Sequence, residues 1–429
     1  MPPAVPPAAA PTALVVAAFD SQLKWASAIW SELRSRGFAC RVAAPRTMAT
    51  LSQEQIAATG VDHVELVAAD ELVDVALEHD VVVNALSGPF VHDFTLELAE
   101  RGGDGPGPVV VAGWVGVIIE KLTAGYLDRS AADVVAVNAQ HELQHFAGVA
   151  RRLGIGTDNL LLSGLPILST SPRPQDTGPI RTVLFADQPT VPNGPVERLH
   201  LYRRLVDHAR RHPERTVLLK PRHRRGEGTF HRMHHHPQDL LADDDLPANV
   251  EFTHRPVPDL LEEVDLLLTM SSTACLEAVD RGRRVALVLD LGVHERHGNH
   301  VFLDSGLLRT FDQVDVDDLG APEPAWMDSW FGGREVAPPV AIVDRVEALL
   351  ASGDRPSRTA LGSPYLQGAL ALHRARGAAQ RPRPPSAWTR RRHNHGPLLG
   401  TAMHLGFEWA PPAVQRPVRR WWREHRPLG

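Results

Sequence analysis

The alternation of short apolar runs with helical patterns constrains this chain more than any single motif. The runs "TALVVAAFD", "ACRVAAP", "VDHVELV", "DVVVNALSG", "VVVAGWVG" and "ADVVAVNA" are separated by segments such as "SQLKWASAIWSELRSRG", a helical pattern ending in glycine. Strands alternating with helices predict a parallel, doubly wound sheet. "NLLLSGLPIL" (159–168) closes the series, and "STSPRPQDTGP" interrupts it as a polar, proline-rich linker. The pattern then restarts with "IRTVLFAD", "PVERLHLYRRLVDHARRHP", "RTVLLKPRH", "NVEFTH", "DLLLTM", "ACLEAVDRG" and "RRVALVLD". The expected organisation is α/β: a flexible leader (1–11), a first wound half (12–168), a linker (169–180), a second wound half (181–350) and a C-terminal extension (351–429).

A length of 429 residues exceeds one ordinary domain, and 43% hydrophobic content supplies two cores. Cys40 and Cys275 are the only cysteines and show no metal-ligand spacing, which argues against a zinc ribbon or disulfide scaffold and suits a reducing compartment. "MPPAVPPAAAPTA" lacks the basic start of a secretion signal. The longest apolar run, "VVVAGWVGVII", has eleven residues, too few for a bilayer. A soluble, cytoplasmic protein is the expectation. From Arg374 onward there are twelve arginines against two glutamates, so the net charge of −6 combines an acidic body with a basic tail. The tail carries Trp388, Trp409, Trp421 and Trp422, a composition that suits either an anionic membrane surface or helices crossing back onto the first half. Nucleic acid is not an expected partner of the acidic body. Lysine occurs only as Lys24, Lys121 and Lys220.

The stretch "LLLTMSSTACLEAVDRGRRVALVLD" (266–290) takes an all-apolar run into two serines and a threonine. Ligands of open parallel sheets bind outside the carboxyl ends of the strands, where a following helix points unpaired N–H groups at the crevice. Ser271, Ser272 and Thr273 would add hydroxyl donors for a phosphate there. Glu277, about one turn deeper, could accept both hydroxyls of a ribose. By residue type alone, Ser272 or Thr273 could equally cap the helix and Glu277 could be an exposed helix residue. At another such junction, "LLKPRHRRGE" (218–227), Lys220, Arg222 and His223 leave a strand together and would neutralise phosphate, unless they form only a solvated basic loop.

The cadence "VEFTHRPVPDLLEEVDLLLTMSSTACLEAVDRGRRVALVLD" resembles the carboxyl-terminal, nucleotide-binding half of GT-B glycosyltransferases, in which a small-residue loop precedes an E-A-x-x-x-G helix. Glu277, Ala278 and Gly282 match that pattern. Within the fold, the chain is most similar to bacterial transferases of the CDP-glycerol and polysialic-acid capsule type. These carry a Ser-Ser/Thr motif at this helix and a His-Pro motif at an earlier strand-to-loop junction. Lys220, Pro221, Arg222 and His223 stand at that junction, without proline after the histidine. The likeness covers most of 181–300 by motif, and 12–165 by strand order and "SGLP".

The resemblance implies two Rossmann-like halves facing across a cleft. It also implies a metal-independent, inverting transfer of a sugar or polyol phosphate. The nucleotide-activated donor is a co-substrate rather than a cofactor, and the acceptor is a glycan or lipid-linked. Lys220, Arg222, Ser271, Ser272, Thr273, Glu277 and Gln188 would bind the donor, His223 would act on its phosphates, and Asp20, ending the first strand, would be the base. Asp20 could instead cap its helix with Lys24 as an i,i+4 partner. Lys24, Ser87 and Trp114 are acceptor-side candidates, and Trp114 could also be an ordinary core residue. Asp187 ranks below these, as an acidic group beside phosphate. His294, His297 and Asn299 could close over the base or sugar. His231 and His235 have i,i+4 spacing but no accompanying carboxylate motif, and "DVDD" (315–318) reads as a surface turn, so no metal site is expected. Two rival readings are a nucleotide-sugar 2-epimerase of the same fold and a non-catalytic binding module that works through the tail.

Overall fold

The computed structural model describes residues 10–380 apart from 104, 226–232 and 334. The tail tryptophans and His231 lie outside the described residues. The first half is built on seven strands: β1 (Thr12–Val16), β2 (Ala39–Pro45), β3 (Glu65–Val67), β4 (Val81–Asn84), β5 (Val109–Gly113), β6 (Val134–Val137) and β7 (Leu160–Leu162). They pair in the order β3-β2-β1-β4-β5-β6-β7, every pair parallel. The second half has six: β8 (Thr182–Ala186), β9 (Thr216–Lys220), β10 (Val250–Phe252), β11 (Leu266–Thr269), β12 (Arg284–Val288) and β13 (Leu308–Arg309). Their order is β10-β9-β8-β11-β12-β13, again all parallel. The two-residue β13 escaped the sequence reading, being too short to carry a pattern.

Strands covered on both faces need apolar side chains in both directions, which is why these runs do not alternate with polar residues. In β11, Leu267 packs in one core with Leu184, Leu276 and Leu287. Leu266 and Leu268 face the other way, toward Phe185 of β8 and Leu201 and Leu205 of the helix Pro195–Arg211. In each sheet the strand order reverses beside the first strand, between β1 and β4 and between β8 and β11. Such a switch point splays the following loops apart and opens a crevice at the carboxyl ends.

After β13 the chain returns to the first half. Helix Pro324–Phe331 packs against helix Gln140–Leu153, with Ser329 Oγ 2.8 Å from His141 Nδ1. Helix Pro338–Ser352 lies on helix Asp20–Ser35, and its Ile342, Val343, Val346 and Leu349 join one core with Ile29, Leu33, Val109 and Val134. Arg36 clamps this contact through Asp344 (2.6 Å) and Glu347 (2.7 Å). Helix Pro364–Gln380 is the last described element. No helix among the described residues is long and apolar enough to cross a membrane.

Candidate active site

The loops that follow the switch-point strands carry the candidate residues. Asp20 follows β1 and Ser87 follows β4 in the first half, while Gln188 follows β8 and Ser271–Thr273 follow β11 in the second. Lys220, Arg222 and His223 leave β9, beside β8.

Two ion pairs join the halves at this place. Lys24 Nζ lies 3.2 and 3.1 Å from the two carboxylate oxygens of Glu277. Arg222 donates to Asp20 Oδ2 at 2.8 Å. Asp20 is the first residue of its helix, yet Phe19 is the N-cap and no side-chain cap bond forms, so the capping role open to Asp20 in the sequence is not taken up. Neither does Lys24 pair with Asp20 along the helix; each reaches the opposite half instead. The Glu277 side chain is 7% exposed and Lys24 37%, whereas Asp20 and Arg222 are 39% and 42% exposed. Solvent screens the second pair, which is worth about 0–1 kcal/mol. Burial makes the first the firmer link.

The three hydroxyls divide their work. Ser271 is buried and fully engaged: its N–H donates to Gln188 Oε1 at 2.9 Å and its Oγ to the His297 carbonyl at 2.6 Å. Gln188 therefore shapes the loop by holding Ser271. Ser272 Oγ accepts from Ala274 N–H at 3.2 Å, a local turn bond just ahead of the N-cap Thr273, which itself makes no side-chain cap bond, and remains half-buried. Thr273 Oγ1 accepts from Val117 N–H at 3.1 Å, a third contact between the halves. That approach requires glycine at 116, because a Cβ there would lie 2.5 Å from Thr273 Oγ1. Asn138 anchors the same loop from the end of β6, donating to the Gly116 carbonyl at 3.1 Å.

Lys220 closes β9, and its carbonyl accepts Asp187 N–H at 3.0 Å. The His223 carbonyl lies 3.3 Å from the His236 ring nitrogen. Asp187 does not line the crevice. It forms a buried cluster with Arg198 (3.1 Å) and the Tyr202 hydroxyl (2.7 Å), with side-chain exposures of 2% and 1% for the ion pair. Burial pushes its carboxyl up to about 6, against the opposing pull of Arg198 and Tyr202. Ser87 stands exposed at the carboxyl end of β4.

Trp114 offers no open face to a sugar. It is 8% exposed, stacked on Phe146 at 4.9 Å, with the Arg129 guanidinium 4.6 Å from its ring centre. Among the described residues one group could hold a cation: His208, His212 and Asp315. It lies toward the carboxyl-terminal end of helix Pro195–Arg211, the end opposite the crevice, and Asp315 already binds His208 Nδ1 (2.7 Å) and Arg211. Asp317, from the same "DVDD" string, has φ of +58° and binds Arg215 at 2.7 Å, so both acids hold the helix end in place.

Asn138 and Arg198 were missed by the sequence reading. A polar residue directly after the apolar run "VVAV" is the signal that could have found Asn138. Nothing local marks Arg198, one arginine among many in an exposed-looking helical pattern.

Among proteins of curated function, none matches the sequence. In solved structures the chain is similar to the "putative UDP-N-acetylglucosamine 2-epimerase" of Listeria monocytogenes. The identity is 11% and the TM-score 0.53, over 81% of this chain and 98% of that one. It is also similar to the UGT89C1 of Arabidopsis thaliana solved with UDP-L-rhamnose, at 10% identity and TM-score 0.47, over 85% and 99% of the two chains. A third is CalG4, the calicheamicin glycosyltransferase, at 15% identity and TM-score 0.45, over 86% and 100%. Two parallel sheets of seven and six strands, facing through their carboxyl-end loops, make the GT-B architecture. Residues 13–349 match the model of a family described as "Putative glycosyltransferase (DUF6716)". Spanning most of its length, that match makes the chain a member of this glycosyltransferase family.

Proposed function

We propose that this enzyme transfers a sugar, or a sugar-like polyol phosphate, from a nucleotide-activated donor to a glycan or lipid-linked acceptor. Inversion without a metal is part of the proposal. One observation carries it: Glu277, Thr273 and Arg222 of the second half meet Lys24, Val117 and Asp20 of the first at the carboxyl ends of both sheets. In this reading Lys220, Arg222 and His223 neutralise the donor phosphates and stabilise the departing one, since fixed cations cost no reorganisation as charge develops. Glu277 takes the ribose hydroxyls. Ser272, half-buried beside them, adds a hydroxyl donor. Asp20 accepts the proton of the acceptor hydroxyl as it attacks the anomeric carbon. The Ser-Ser-Thr loop and the basic junction after β9 further support a donor of the kind used by CDP-glycerol and capsule polysialic-acid transferases.

Titration with CMP, CDP, UDP and GDP tests the reading. Saturable binding of one of them is expected, weakened about tenfold or more in Glu277→Ala and His223→Ala, the scale on which loss of a charged hydrogen bond is felt. No saturable binding by any of the four would count heavily against it. The fold likeness to a protein described as a UDP-N-acetylglucosamine 2-epimerase favours one second reading. Product analysis without any acceptor separates the two, because only an epimerase would convert the nucleotide sugar on its own.

A further inference from the structure

Asp20, Arg222 and Glu277, three of the charged side chains given roles under the proposed function, are already held by a partner of opposite charge from the other half. Asp20 and Lys24 stand four residues apart on one helix, a spacing at which they could pair with each other. Instead they reach across 202 and 253 sequence positions to Arg222 and Glu277.

Both pairings copy the chemistry of the ligand. Lys24 contacts both oxygens of Glu277, at 3.2 and 3.1 Å, and so covers the bidentate face that a vicinal diol would need. Asp20 presents a carboxylate oxygen to Arg222 at 2.8 Å, where a phosphate oxygen would make the same charge-assisted bond. Phosphate and Asp20 side by side would repel each other, so occupation of Arg222 by one disfavours the other.

We infer that a nucleoside diphosphate enters this site by exchange. The ribose hydroxyls take Glu277 from Lys24, the phosphates take Arg222 from Asp20, and Lys24 and Asp20 are released together toward the acceptor side. The inference rests on the transferase reading and adds an order to it, donor before acceptor. Until phosphate occupies Arg222, Asp20 stays paired with that guanidinium. No covalent bond changes in the exchange.

The three lysines of the chain provide the test, because each is a separate reporter. The full-length protein is acylated with a limiting amine reagent, with and without whichever of UDP, CDP or GDP saturates in the titration. Labelling is read by peptide mass spectrometry, with Lys121 as the internal reference. Lys24 is expected to react at least about threefold faster with nucleotide, since its partly buried ion pair is firmer than an exposed one, while Lys220 slows. In parallel, Asp20→Asn removes the competitor for Arg222 and is expected to tighten nucleotide binding about three- to fivefold. If nucleotide binds and slows Lys220 but leaves Lys24 unchanged or slower, and Asp20→Asn binds no more tightly, exchange is wrong and the nucleotide site stands. Failure of every nucleotide to bind would instead remove the transferase reading, and this inference with it.

Discussion

Gly282 has φ of +71°, and a Cβ added there would lie 2.2 Å from the Pro174 carbonyl oxygen. The glycine of the E-A-x-x-x-G pattern thus lets the linker lie against the turn after helix Ala274–Asp280, where Asp176 N–H donates to the Gly282 carbonyl at 2.7 Å. Both the left-handed backbone and the crowding penalise any side chain. Gly282→Ala is expected to destabilise the protein by about 1–3 kcal/mol, seen as a lower urea midpoint. A midpoint equal to the parent would show that the linker yields freely. Trp114 and Asp187 carry a similar lesson. Each looked suited to a ligand by type and loop position, and each is consumed by packing or by a buried partner.

At the scale of elements, helix Gln140–Leu153 begins with an unusual group. Glu142 is 1% exposed and accepts Asn138 N–H at 3.2 Å, and burial lifts its carboxyl from an ordinary 4.5 to about 8. An acid raised in the folded state stabilises the fold fully below its ordinary pKa and loses that contribution as pH climbs through the raised value. Stability should therefore fall through this group between about pH 4.5 and 8. Glu142→Gln keeps an amide oxygen for Asn138 and should flatten that fall by on the order of 2–4 kcal/mol. Urea midpoints at about pH 5 and pH 8 measure it, and an unchanged pH slope would argue that the carboxylate is not confined as described.

The elements themselves were largely legible in the sequence, because a strand covered on both faces must be spelled in apolar residues. So was the place of the candidate site, since polar residues at the ends of such runs fall where loops turn into helices. Which strands lie side by side in each sheet, and the cross-half pairing, were not. Lys24 and Glu277 are 253 positions apart, and no periodicity links a charge on one helix to its partner on another. The amphipathic pattern of Ile342, Val343, Val346 and Leu349 was present but went unread among prolines and short acidic turns.

On the scale of the whole molecule, helix Pro338–Ser352 makes the fold depend on a late segment. Val346 is fully buried against the first half. Val346→Asp would put an unpaired carboxylate in that core and is expected to cost about 3–5 kcal/mol. The expected result is a lower thermal midpoint together with faster proteolysis of the segment between Arg309 and Pro338. A parent-like midpoint would mean that this helix contributes little to the first core.

Because the polypeptide passes from one half to the other at 169–180 and back again between β13 and Pro338, two tethers join the halves. A single tether would permit twisting and sliding as well as opening. Two confine any relative motion of the halves to a swing about the line that joins them.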